Sequence, residues 1–162
     1  MKNRTLQHAV TTRNAVKKAL PDSAMDRLER AIGLAERGSS GQVRMIVEAH
    51  WPLMQVKQTE PRQRAIEWFS QLRVWDTEHN NGVLLYLLFA ERRVEIVADR
   101  GFNKLVTQAQ WDSICRALEA RFSGGEFEMG LGEGIVAIGE LLNEHFPADM
   151  GPNEQSDRPV LV

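Results

Sequence analysis

Between Trp75 and Asp99 the sequence sets Asp76, Glu78, Asn80, Asn81 and Asp99 around an apolar run. Carboxylates and amide carbonyls are hard oxygen donors, the ligands that Ca²⁺ and Mg²⁺ take. Whether these side chains meet depends on the chain between them. Val83–Phe89 and Arg93–Asp99 read as strands joined by a tight turn near Ala90–Arg92. With Ala90 and Glu91 as the loop pair, Phe89 faces Arg92 and Asp99 falls opposite Gly82. A turn one residue later puts Asp99 opposite Leu84. In both registers Asp99 returns to the sheet end where Asn80 and Asn81 enter and the Asp76–Glu78 loop arrives. Two readings stay open. One is a cation site; the other is a turn capped by Asp76, positive φ from Asn-Asn-Gly, and an Asp99–arginine pair. Arg100 alternates to the face opposite Asp99, where it suits either bidentate binding of an anion such as phosphate or a structural ion pair.

Other chemistry is harder to assemble. Ser113 and Ser123 fall in a helix and a turn without the strand–turn–helix of a nucleophile elbow, so no catalytic residue is assigned. Cys115 is the single cysteine, which excludes an internal disulfide; its apolar helical setting reads as a buried thiol. The stretch GLGEGIVAIG at 130–139 lacks the last glycine of GxGxxG and follows no strand, so its glycines read as packing positions. His79 could ligate beside Asp76 but reads as an unengaged loop residue. His8 and His145 are isolated near helix ends, and His50 follows the first strand. Glu91, Arg92 and Arg93 read as a solvated turn. The four tryptophans are too scattered for a base-stacking platform.

The elements that must position these residues follow from periodicity. Leu6–Leu20 reads as a helix stopped by Pro21. Asp22 N-caps a second helix with Met25, Leu28, Ile32 and Ala35 inward and Gly38 as the stop. QVRMIVEA alternates as a strand. Thr59 and Pro61 open a helix with the stripe Ala65, Ile66, Phe69 and Leu72. After the hairpin, Thr107 and Gln110 form a capping box before Trp111, Ile114, Cys115, Leu118 and Phe122. A last helix carries Phe127, Leu131, Ile135, Ile138 and Leu142 up to Pro147. The order α-α-β-α-β-β-α-α, with Val83–Phe89 apolar throughout, specifies an α/β fold with a small central sheet between helices. We expect one domain over residues 1–147 and a flexible tail over 148–162.

Composition bounds the function. The chain has 162 residues, 43% hydrophobic and 26% charged, with net charge −2. That charge argues against nucleic acid as partner. Its longest apolar run, Val83–Ala90, falls far short of the ~20 residues of a membrane helix, and no signal-peptide pattern is present. Cytoplasmic placement is the expectation. Lys2, Arg4, Arg13, Lys17 and Lys18 precede the first acid, Asp22, and read as a solvated basic segment or a contact to the inner face of a membrane.

The segment LRVWDTEHNNGVLLYLLFAERRVEIVADRGF resembles the TPM-domain family, in particular its short, soluble bacterial members. ALPDSAMDRLERAIGLAERGSSGQVRMIVEA resembles that family's opening helix, turn and first strand, and FSGGEFEMGLGEGIVAIGELLNEHFP its closing helix; residues 8–147 are covered. The resemblance implies an α/β sandwich around a mixed sheet of three to four strands. It also implies a divalent cation, Ca²⁺ or Mg²⁺, held by loop acids at one sheet end. By position these are Asp76 and Asp99, with Glu78 and Asn81 beside them. Many members carry a membrane anchor and a Gly-rich WGIG where this chain has WDTEHNNG. The resemblance therefore yields three expectations: an accessory cation-binding domain acting through a protein partner, at a membrane in one version; a metal-assisted acid phosphatase on phosphomonoesters with Arg100 as clamp; or an interaction module without metal.

Overall fold

The computed structural model describes residues 3–147 and 152–162. Asn3 caps α1 (Arg4–Val10) and Thr12 caps α2 (Arg13–Ala19), each side chain accepting from a backbone N–H three residues on. The one helix expected over Leu6–Leu20 is therefore two. Threonine competes for backbone hydrogen bonds, and here Thr12 starts a new helix where the pattern alone would continue the old one. In α3 (Asp22–Glu36) the cap position falls to Pro21, and Asp22 sits in the first turn rather than at the N-cap. Its acidic charge still favours the positive helix end.

β1 (Gln42–Glu48) leads to a short α4 (Leu53–Val56), which periodicity does not announce, and to α5 (Pro61–Gln71). β2 (Gly82–Leu88) is buried at all seven positions. A 3₁₀ turn, Phe89–Glu91, and Arg92 at φ 53° connect it to β3 (Arg93–Ala98). Then come α6 (Gln108–Ser123), opened by the Thr107–Gln110 capping box, and α7 (Phe127–His145).

With the C-terminal β4 (Val160–Leu161), the sheet is mixed, in the order β3-β2-β1-β4: β1 is parallel to β2 and β3 antiparallel to β2. Its pleat splits the core in two. Val43, Met45, Val47, Val83, Leu85, Leu87, Val94 and Ile96 face α3, α6 and α7. Ile46, Leu84, Tyr86, Leu88 and Val97 face Trp51, Val56 and α5. The α/β sandwich is thus as expected, with one local difference: Ile66 of the α5 stripe is 48% exposed, and Trp68 packs on the core instead. The α7 glycines seat it against neighbouring helices rather than the sheet, since a Cβ on Gly134 would meet Leu118 and one on Gly139 would meet Ala35.

The stretch expected as a loose tail from 148 contains a strand near its end. Val160–Leu161 form β4, parallel to β1, with Val160 opposite Ile46 and Leu161 opposite Val47. Three apolar residues in polar surroundings are too short a signal to announce a strand, but an open edge on β1 supplies the unpaired backbone groups that make one. Among the described residues no helix is long and apolar enough to cross a membrane.

Candidate functional site

The hairpin adopts the first of the two registers. Val83 pairs with Ala98 and Leu88 with Arg93, and the Asp99 N–H donates to the Gly82 carbonyl at 2.9 Å. Asp99 therefore lies at the sheet end that Asn80 and Asn81 enter. Two close approaches lock this end. A Cβ on Gly82 would lie 2.1 Å from the Val74 carbonyl oxygen, and one on Gly101 would lie 2.4 Å from that of Asn80. Only glycine lets these backbones cross so closely. Asn80 takes φ 52°, so its role is that of a turn residue.

The five oxygen donors do not converge. Asp76 pairs with Arg73 at 2.9 Å and is 56% exposed, and the Glu78 side chain is 78% exposed. Among the described residues no three His, Cys, Asp or Glu side chains stand where they could share a metal ion. The pleat separates Asn81 from Asp99, since Asn81 continues the Val83 face and Asp99 the Val97 face. Asn81 is wholly buried and its Nδ2 donates to Ser40 Oγ at 3.0 Å, while its Oδ1 has no partner among the described residues. Asp99 Oδ1 accepts from the Arg100 N–H at 2.7 Å, capping a short 3₁₀ turn; its Oδ2 is buried and likewise without a partner. Val74 packs in the Val97-side cluster, and the end of the 73–79 loop comes beside Gly101, where a Cβ would lie 2.9 Å from the His79 carbonyl oxygen. Arg100 is exposed beside it. His79 is half exposed, with Glu78 4.0 Å away.

Three other polar sites escaped the sequence. Glu48, on β1, is buried yet surrounded by donors: Trp51 Nε1 at 2.9 Å, Tyr86 Oη at 2.8 Å, Trp68 Nε1 at 3.1 Å and Arg64 Nη2 at 2.7 Å. Burial pushes its carboxyl up, but the hydrogen bonds from Arg64, Tyr86 and Trp68 outweigh it and hold the group below the usual glutamate range. Glu91, read as part of a solvated turn, has a side chain only 7% exposed, with Arg4 Nε and His8 Nε2 both 2.8 Å from Oε1. His8 is buried as well. Its Nδ1 accepts from the Trp51 N–H at 2.8 Å, so Nε2 carries the proton donated to Glu91. Glu36, at the end of α3, accepts from the Val43 N–H at 2.6 Å and, next to Asp157, lines a cavity of about 240 Å³. Burial pushes it up to about 8 against the pull of that N–H, with Asp157 adding to the rise. No local spacing in the sequence marks these acids as buried: Glu48 falls on the face opposite Val43, Met45 and Val47, and Glu91 lies in the turn. Cys115 is a buried free thiol, which burial pushes up to about 12.

Comparison with known proteins completes the picture. The model of the TPM domain matches residues 14–141. The NMR structure of the BA42 protein from the psychrophilic bacterium Bizionia argentinensis is 27% identical, with a TM-score of 0.77, over 88% of this chain and 95% of that one. The N-terminal domain of a P. gingivalis protein shares the fold at 18% identity and a TM-score of 0.63, over 82% of this chain and 83% of that one. So does that of the cg2496 protein from Corynebacterium glutamicum, at 12% identity and a TM-score of 0.56, over 80% and 76%. No curated protein matches. With one family model spanning most of the sandwich and solved relatives superposing on it, the chain belongs to the TPM domain family.

Proposed function

We propose that this protein is an accessory domain that takes a divalent cation at Asp99 and acts through a protein partner. The observation that supports the cation is the buried, unpartnered Oδ2 of Asp99. A buried carboxylate oxygen without a donor is costly, and a hard cation relieves that cost directly. The fit is partial. Asp99 supplies one carboxylate oxygen, and the neighbouring 73–79 loop offers carbonyls and the exposed Asp76 and Glu78. Asn81, on the other face, drops out of the proposed ligand set. So sparse a set places the affinity in the weak class, with Kd on the order of 10⁻⁴–10⁻³ M.

The partner half of the proposal is supported by Trp75, which is 47% exposed on the same loop with Arg73 stacked 5.5 Å from its ring. Tryptophan and arginine are the side chains that anchor protein interfaces. Arg13, Lys17 and Lys18, exposed on α2, extend the proposal to a partner at an anionic membrane face.

The test is thermal unfolding of EDTA-treated protein with added Ca²⁺ or Mg²⁺. Binding at roughly a hundred times Kd raises stability by about 2.7 kcal/mol, several degrees for a domain of this size. Asp99→Asn keeps the Oδ1 cap on Arg100 and should lose the shift. An equal shift in both proteins, or none in wild type, ends the cation reading. Exposed Arg100 beside Asp99 favours one second reading, metal-assisted hydrolysis of phosphomonoesters. Metal-dependent turnover that Asp99→Asn abolishes would establish it.

A further inference from the structure

The outer edge of β1 is filled by residues 160–162 of the same chain. The Val162 N–H donates to the Val47 carbonyl at 2.9 Å, and the Ala49 N–H to the Val162 carbonyl at 2.8 Å. Leu161 packs into one core cluster, while Val160 and Val162 pack into the other. Backbone hydrogen bonds along an edge, with alternate side chains entering two prepared apolar sites, are the geometry by which a sheet accepts an extended segment.

The segment leading into this strand is held differently. Arg158 pairs with Asp26 and, at 3.1 Å, with Glu29 on α3. Arg44 Nη1 donates to the Ser156 carbonyl at 2.8 Å, and Gln42 Oε1 accepts from the Glu154 and Gln155 N–H groups at 2.9 and 3.0 Å. Gln155 Nε2 donates to the Arg73 carbonyl at 3.1 Å. These contacts are polar, half of them exposed and half part-buried, and none adds an apolar side chain to the core. The apolar recognition chemistry is thus concentrated in three residues, and the strap before them is held by polar side chains alone.

We propose that the β1 edge is a strand-acceptor groove that exchanges residues 160–162 with the identical segment of a second copy. The occupant follows from the groove itself. Its two apolar sites and its backbone register are filled by Val160, Leu161 and Val162, and a second chain presents the same side chains and the same Arg158 to Asp26 and Glu29. Exchange re-forms every contact, so concentration decides between the closed and exchanged forms.

The experiment uses the full chain carrying Leu161→Asp, which cannot seat its own strand, together with a labelled peptide of residues 152–162. The peptide should bind this variant at least tenfold more tightly than wild type, whose tethered strand competes at millimolar effective concentration. Wild type should show a dimer fraction that grows with concentration in light scattering. Absence of peptide binding to the folded variant, with wild type monomeric throughout, overturns the proposal. Equal binding of an unrelated peptide ending in Val-Leu-Val also overturns it, since the groove would then take partner segments at large. Should the variant not fold, hydrogen exchange on wild type decides. The Ala49 amide, bonded to Val162, should exchange through an opening far more frequent than that of the β2 amides. Exchange of Ala49 only with global unfolding makes the strand a fixed part of the fold and refutes exchange.

Discussion

At the scale of single residues, Glu48 shows how a buried charge becomes tolerable. Its oxygens accept from two indoles, a phenol and a guanidinium, so the cost of desolvation is met by donors from three separate elements. Removing the carboxylate leaves the Trp68 N–H and the Tyr86 O–H without their acceptor and Arg64 with Glu67 alone, while the Trp51 N–H keeps only Tyr86 Oη at 3.2 Å. Glu48→Ala should therefore cost roughly 3–5 kcal/mol, read as a lower midpoint in urea unfolding with an unchanged slope. A loss below about 1 kcal/mol would mean that water replaces the carboxylate and the network contributes little. None of this was legible beforehand. The donors lie 3, 16, 20 and 38 residues from Glu48, and no local spacing marks a glutamate that ends an alternating strand as the centre of such a network. The hairpin register, by contrast, was legible, because two apolar runs and a short turn leave only two pairings.

At the scale of elements, the α3–β1 turn and the 152–162 strap meet at a pair of carboxyls. Glu36 on α3 faces Asp157 on the strap. Arg44 from β1, pushed down by its own burial, lies near Asp157; Arg37 lines the same cavity, and Arg158 is engaged by Asp26 and Glu29. The folded-state value of Glu36, about 8, lies above the ordinary 4.5. The unfolded chain therefore releases this proton first. The stability it contributes is complete below about 4.5 and is lost as pH rises through about 8. Melting temperature should fall across that window by the equivalent of a few kcal/mol. Glu36→Gln keeps an acceptor for the Val43 N–H and gains a donor toward Asp157, so it should flatten the decline and be the more stable protein at alkaline pH. Parallel pH profiles for the two proteins would place the titration elsewhere. The strap itself lay beyond sequence reasoning, because a strand of two residues exists only where another element leaves an edge open.

At the scale of the whole molecule, the sheet holds two polar ends apart. Asp99 and its orphaned oxygen stand where β2 begins, and Glu91 with Arg4 and His8 stands where it ends. Seven residues of extended chain separate them by roughly 20 Å, through a core close-packed on both faces. The Glu91 end docks α1: His8 stacks on Trp51 with ring centroids 5.3 Å apart, and Arg4 reaches both Glu91 and Glu60. Glu91→Ala removes the shared acceptor and should cost roughly 2–4 kcal/mol through the loosening of α1. Nothing in that loss reaches the other end of the sheet, so the rise in melting temperature that the proposed cation site predicts should survive it intact. The Glu91→Ala/Asp99→Asn double variant should then show the sum of the two single effects within about 0.5 kcal/mol. Measured in one set of melts with and without Ca²⁺, additivity makes the cation a local ligand of the Asp99 end. A cation shift that disappears with Glu91→Ala would instead mean that the sheet couples its two ends, with α1 docking as part of what the cation controls.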